Sequence, residues 1–179
     1  LNEVLPNLIV KEVWSDYFLR TANKRKDNIK NKKYFEYFKK EIEGEKILNA
    51  ERRGKNVLIH LAHNKTILVH MKMTGHFLYG TYKKFKVKSE KLSSEYKETW
   101  RSNDDYLKDS FNSFIHLIFT LSNGKHLAFS DMRKFAKVIL FETGKRNNIT
   151  DLAVLGPEPI PNLSLDLFIK QLSSKLIFM

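Results

Sequence analysis

The 179-residue sequence contains no cysteine. That excludes disulfides, a thiol nucleophile and any cysteine-ligated zinc site within these residues. No apolar run approaches the roughly 18 residues that span a bilayer, and the start lacks the basic-then-apolar order of a secretion signal. GxGxxG, a Walker-type phosphate loop and GxSxG are all missing. The histidines at 60, 63, 70, 76, 116 and 126 show no HExxH spacing, so no metal site is read here. Absence of thiols is compatible with a reducing compartment, and a bacterial-type cytoplasm is the expectation.

What the sequence does have is positive charge. Lys and Arg number 32 against 20 Asp and Glu, a formal net charge of +12. An excess of that size favours a polyanionic partner, either nucleic acid or an anionic membrane surface. The length fits one domain with a sizeable core. The first residue is Leu1 rather than Met, and the last four are Leu176-Ile177-Phe178-Met179. Both ends read as truncations.

Hydrophobic patterning predicts a chain made mostly of strands. Residues 1–5 read as the last turn of a helix ended by Pro6, and residues 8–14, rich in β-branched and aromatic side chains, as a strand. After a basic loop over 16–33, Tyr34, Phe35, Phe38 and Ile42 recur at helical spacing up to Gly44. Strands are then expected at 46–53, 56–62, 66–72, 76–82, 113–121, 125–130 and 136–142. Asn123-Gly124 between two alternating apolar runs is a strong hairpin signal. Successive strands with tight turns predict an antiparallel sandwich or barrel. A charged, glycine-free stretch over 83–112 interrupts the pattern, and Trp100, Leu107 and Phe111 within it are compatible with a helical spacing. Leu155-Gly156-Pro157-Glu158-Pro159 reads as a rigid turn before a helix over 165–172.

Three short stretches can carry chemistry. In Glu51-Arg52-Arg53-Gly54-Lys55 the glycine permits a tight turn, and Lys55 can present its ammonium to a phosphate oxygen or simply stand in water. In His70-Met71-Lys72-Met73-Thr74-Gly75, Met73 is either a wedge between bases or core packing. In Ser130-Asp131-Met132-Arg133-Lys134-Phe135, Arg133 and Lys134 beside Phe135 offer phosphate contact, base hydrogen bonding and stacking, unless Phe135 tucks into the core. Asp104-Asp105 reads as a solvated face.

These stretches, with SNGK and LGPEP, occur in the order seen in the formamidopyrimidine-DNA glycosylase and endonuclease VIII family. The sequence resembles the N-terminal domain of formamidopyrimidine-DNA glycosylase over nearly its whole length, apart from the 83–112 insert. The resemblance implies one mainly β domain over 1–179, an antiparallel β-sandwich flanked by helices. It implies base-excision repair: removal of oxidised purines such as 8-oxoguanine and formamidopyrimidines, then β- and δ-elimination at the abasic site. The implied partner is double-stranded DNA with oxidised or abasic sites, bound by a monomer and without a membrane.

By the same resemblance Lys55 matches the family's hairpin lysine, which supports the reaction at the lesion phosphate and donates a proton in elimination. Met73, Arg133 and Phe135 match the trio that fills the gap left by a flipped nucleotide, with Lys134 among the DNA-binding residues. The family's nucleophile is an N-terminal proline with a glutamate beside it, and neither is in this chain. Nor are the helix–two-turn–helix region and the zinc finger, so zinc is expected only in a full-length protein. Asp131 to Ala136 carries three replacements relative to the family's DPRRFG, Lys72 replaces a small residue, and Phe114 stands where the family has a histidine while His116 keeps the second. The expectation is an enzyme whose truncated chain is inactive alone. The alternative is a non-catalytic nucleic-acid-binding β-domain.

Overall fold

The computed structural model describes residues 1–19, 28–88, 96–156 and 164–176. The chain divides into two compact units, 1–144 and 145–179. The first holds the strands β1 (Val10–Ser15), β2 (Ile47–Arg53), β3 (Asn56–Leu61), β4 (Lys65–His70), β5 (His76–Gly80), β6 (Tyr82–Lys88), β7 (Tyr96–Ser102), β8 (Ile115–Leu121), β9 (His126–Ser130) and β10 (Lys137–Glu142), with one helix, α1 (Lys32–Ile42). The second holds α2 (Thr150–Ala153) and α3 (Leu165–Leu176).

The strands form three antiparallel sheets: β1-β8-β9-β5, β10-β4-β3-β2, and the hairpin β6-β7. Period-two alternation explains how the first two share a core. Val10 and Val13 of β1, Leu117, Phe119 and Leu121 of β8, and Leu127 and Phe129 of β9 meet Ile47, Val57, Ile59, Ile67, Val69 and Val138 of the second sheet in one apolar cluster. Phe35, Phe38 and Ile42 of α1 join it. Full burial of each such side chain contributes about 1.5–3 kcal/mol. The antiparallel sandwich, with α1 packed on its core, is the architecture expected.

Helix α1 starts where the Asn31 side chain accepts the Tyr34 amide (3.1 Å), a standard N-cap that satisfies one of the free first-turn donors. It stops against β1, where the Gly44 amide donates to the Val10 carbonyl (2.8 Å) and Val13 N–H donates to Glu43 Oε1 (2.8 Å). Residues 1–5 make a single α-turn, Leu5 N–H to Leu1 O (3.0 Å). The hairpin at Asn123-Gly124 forms between β8 and β9 as expected. The helix expected over 165–172 extends to Leu176. Pro157, Glu158 and Pro159 of the expected turn lie outside the described residues.

The insert differs from its expectation. Trp100 lies on a strand, opposite Lys84 in the β6–β7 ladder, while Leu107 and Phe111 belong to two separate 3-10 turns, Asp105–Leu107 and Ser110–Ser113. The helical spacing among them was a coincidence across the break at Ser102. Tyr82-Lys-Lys-Phe-Lys-Val-Lys hid its strand because lysine is depleted in strands, although an alternating ribbon with one wet face accepts it. Tyr82 and Trp100 pack inward with Leu107, Ile115, Ile118 and Ala128, forming a second, smaller core on the outer face of the first sheet.

Candidate nucleic-acid interface

Three turns converge at one end of the sandwich. In the β2–β3 turn Gly54 has φ +58°, a left-handed conformation that glycine adopts without penalty. Arg52 Nη1 donates to the Gly54 carbonyl (3.2 Å), and Lys55 follows with its residue exposed. The Lys55 carbonyl accepts the Met71 amide (3.1 Å), which ties this turn to the loop after β4.

That loop, residues 71–75, is closed by the Gly75 amide donating to Met71 O (3.1 Å). A Cβ at position 75 would stand 2.5 Å from Phe129 Cζ and 2.6 Å from Met71 O, so only glycine fits the bend. The result pushes Met73 into solvent, where it is 73% exposed. Core packing of Met73 is thereby excluded.

The loop between β9 and β10 is organised by Asp131, which is fully buried. Its Oδ1 accepts the Thr74 hydroxyl (2.7 Å). Its Oδ2 accepts the Tyr17 hydroxyl (2.9 Å) and the Ala136 amide (2.9 Å). Burial, then the Asp131 charge, hold the Tyr17 phenol well above its ordinary pKa, so it stays a donor. One carboxylate therefore clamps the Met73 loop and the Arg133 loop together. Across the clamp Arg133 Nη1 lies 3.3 Å from Met73 Sδ, and its guanidinium carbon sits 4.5 Å from the centroid of the Phe135 ring. Phe135 is half exposed, which rules out its burial in the core. Met73, Arg133 and Phe135 form one outward-facing stack.

Lys134 is placed differently from the expectation that grouped it with them. At φ +54° its side chain turns inward, and Nζ meets Asp16 at Oδ1 (3.0 Å) and at the main-chain oxygen (3.2 Å). His116 Nδ1 reaches the same Oδ1 at 2.7 Å. Asp16 is 1% exposed, and burying a carboxylate requires paired cations and donors. Lys134 anchors the loop from below while Arg133 projects from it. Asp16, Tyr17 and the clamping role of Asp131 escaped the sequence reading, because the partners that define them are distant in sequence: His116 and Lys134 lie 100 and 118 residues from Asp16, and Tyr17 and Thr74 lie 114 and 57 residues from Asp131. Among the described residues no group of three or more His, Asp or Glu is placed to hold a metal ion. No described helix is long and apolar enough to cross a membrane.

A β-sandwich with basic and exposed apolar turns gathered at one end is the class this geometry defines. The sequence model for the formamidopyrimidine-DNA glycosylase N-terminal domain matches residues 7–138, and the chain belongs to that family. A formamidopyrimidine-DNA glycosylase from Pediococcus pentosaceus is 32% identical over 141 residues, covering 78% of this chain and 42% of that protein. One from Bacillus cereus is 33% identical over 124 residues, 69% of this chain and 36% of that protein. The chain thus spans about two fifths of the length of these curated relatives. Among solved structures, the Lactococcus lactis protein in complex with abasic-site DNA aligns over 96% of this chain and 51% of that one, with a TM-score of 0.65 at 20% identity. The same organism's protein bound to FAPY-dG DNA gives 0.63 over 96% of this chain and 52% of that one, also at 20% identity. At that identity the likeness is one of fold.

Proposed function

We propose that this chain is the DNA-reading part of a base-excision-repair glycosylase acting on oxidised purines, with elimination at the abasic site, in a bacterial cytoplasm. The observation that carries the reading is the exposed Met73–Arg133–Phe135 stack held on a buried Asp131 clamp. Flipping a nucleotide out of a duplex costs a few kcal/mol in lost stacking and pairing. A polarizable thioether, a guanidinium and a phenyl ring fixed side by side can offset that by filling the vacated space. The clamp matters because a plug that had to order itself on binding would lose part of that gain to side-chain entropy.

Lys55, on the second sheet beside the Met73 loop, is suited to a backbone phosphate near the lesion and, after base removal, to giving a proton during elimination. The attacking amine is assigned to an N-terminal proline by the family reading, and residue 1 here is Leu; the inactivity of these 179 residues alone is part of the proposal. The zinc expected of a full-length protein has no donor set among the described residues. A monomer bound to damaged duplex is the assembly proposed.

The test is binding to duplexes with and without a central abasic-site analogue, measured by fluorescence anisotropy over a range of salt. The chain should prefer the abasic duplex, and Lys55→Ala should make the slope of log K against log salt shallower by roughly one unit. Replacing both Met73 and Phe135 with Ala should remove the abasic preference while leaving the melting temperature unchanged. Equal affinity of the unaltered chain for the two duplexes would replace this reading with that of a general nucleic-acid-binding domain.

A further inference from the structure

The 83–112 insert does more than cover one face of the first sheet, because its return path leads back to the proposed interface. At its far end the base of the hairpin is pinned to the β5–β6 junction. Ser102 Oγ donates to Thr81 O (2.8 Å), and Asp104 Oδ2 accepts the Thr81 amide (2.7 Å). From there the chain runs back along β5, the edge strand of its sheet. The Tyr106 hydroxyl donates to Tyr79 O (3.2 Å), and three residues further along β5 Asn112 Oδ1 lies 2.9 Å from His76 Nε2. The run ends on the neighbouring strand, where Ser130 Oγ donates to Phe111 O (2.8 Å) and the Asp131 amide donates to Phe114 O (2.9 Å).

The endpoint is significant. His76 follows Gly75 of the Met73 loop, and Ser130 precedes Asp131 of the Arg133 loop. Phe111, bonded to Ser130, and Asn112 beside it, bonded to His76, are therefore anchored to the two strands β9 and β5 that flank the stack, at the same end of the sandwich. Its own amide is held by Asp109 Oδ1 (2.8 Å), so the backbone on each side of it is fixed. Yet its side chain is left out: the residue is 64% exposed. Scattered exposed apolar residues are ordinary. An exposed phenyl on a backbone bonded on both sides, set at the rim of a nucleic-acid interface, has a use for its position.

The topology says which use. Lys55 belongs to the second sheet, the Met73 and Arg133 loops cross between the two sheets, and Phe111 is docked on the first. A duplex lying across this end would meet Lys55 on one flank, the stack in the middle and Phe111 on the other flank. We propose that Phe111 is a further DNA-contact residue, an aromatic platform on which an unstacked base beside the vacated site rests. It rests on the reading that this end binds DNA, and it adds a residue supplied by the insert. Every base has a π-face, so such a platform tolerates sequence, and base–aromatic stacking contributes about 1–3 kcal/mol per base.

The experiment uses the full chain with Phe111→Ala and Phe111→Trp, and Met73→Ala as a control for the stack. The probe is an abasic duplex carrying 2-aminopurine at one flanking position at a time, on either strand. Phe111→Ala should weaken binding by about tenfold, with the salt slope and the melting temperature unchanged because no charge or buried group is removed. The rise in emission that marks an unstacked 2-aminopurine should be lost at one position, and Phe111→Trp should restore the affinity. Unchanged affinity and emission in Phe111→Ala, with Met73→Ala impaired, would overturn the proposal and leave the DNA reading standing. If neither substitution affects binding, the reading of this end as the interface falls and the proposal with it. A lowered melting temperature that Phe111→Trp does not rescue would reassign Phe111 to structure.

Discussion

The two apolar cores are built on opposite faces of the same strands, yet they differ in kind. Inside the sandwich, Leu117, Phe119 and Leu121 of β8 face Val57, Ile59 and Val69 with no polar atom of their own to satisfy. On the other face, Ile115, Ile118 and Ala128 lie under Tyr82 and Trp100. Ile115 shares a face with Ile118 despite the odd spacing because the register shifts between Ile115 and Leu117. Trp100 packs on His126 (5.4 Å between centroids) and edge-on to Trp14 (6.0 Å). In this second core the buried Tyr82 hydroxyl and Trp100 Nε1 have no hydrogen-bond partner among the described residues. Each such orphan costs about 1–3 kcal/mol. The lesson is that the hairpin is attached by aromatic area at a polar cost, and should open locally before the sandwich does.

The largest effect separates the cores directly. Phe129→Ala, in the sandwich, should cost about 3–5 kcal/mol in urea denaturation. Trp100→Ala should lower the global midpoint much less, its loss appearing as faster amide exchange in β6 and β7 with β8 and β9 still protected. Equal global losses would show that the two cores unfold as one.

Polar groups sharpen the contrast with opposite signs. Asp131→Ala strands two hydroxyls and an amide on the sandwich side and should cost on the order of 3 kcal/mol. Tyr82→Phe removes an unpartnered hydroxyl and should be neutral or stabilising by up to about 1 kcal/mol. Thermal melts of the two variants side by side decide this, and a destabilised Tyr82→Phe would mean that the hydroxyl has a partner.

The smallest effect is on pH. Burial lowers the His126 pKa, against the opposing pull of a hydrogen bond to the Gly80 backbone and of Glu12, and its Nδ1 accepts the Tyr82 amide (3.3 Å). A folded-state pKa below that of the unfolded chain means that the unfolded state binds the proton first. Stability is therefore complete above about pH 6.5 and falls as the pH drops through the ordinary imidazole range towards the folded value. Amide exchange in β6–β7 should quicken between pH 7.5 and 5.5, and this component should be absent in His126→Asn. Exchange independent of pH, after correction for intrinsic rates, would break the assignment.

Much of the sandwich was legible because its signals are local. Alternating apolar residues marked the strands, Asn123-Gly124 marked the β8–β9 hairpin, and the Phe35, Phe38 and Ile42 spacing marked α1. The candidate site was legible to the same extent: Met73, Arg133 and Phe135 sit in short loops between strong strands, and all three do reach the surface together. The β6–β7 hairpin was not legible, since its lysines erase the apolar alternation and its core contacts come from the back of β8 and β9.

By itself the sequence determined the strand-rich class, the basic excess and the three turns that hold the candidate residues, all consequences of neighbours along the chain. Only the tertiary structure decided which of two adjacent cations faces out. Arg133 and Lys134 are equivalent by pattern, but Asp16, 118 residues from Lys134, is buried and must be neutralised where it lies. The left-handed turn at Lys134 delivers its ammonium there and leaves the guanidinium of Arg133 to stand between Met73 and Phe135.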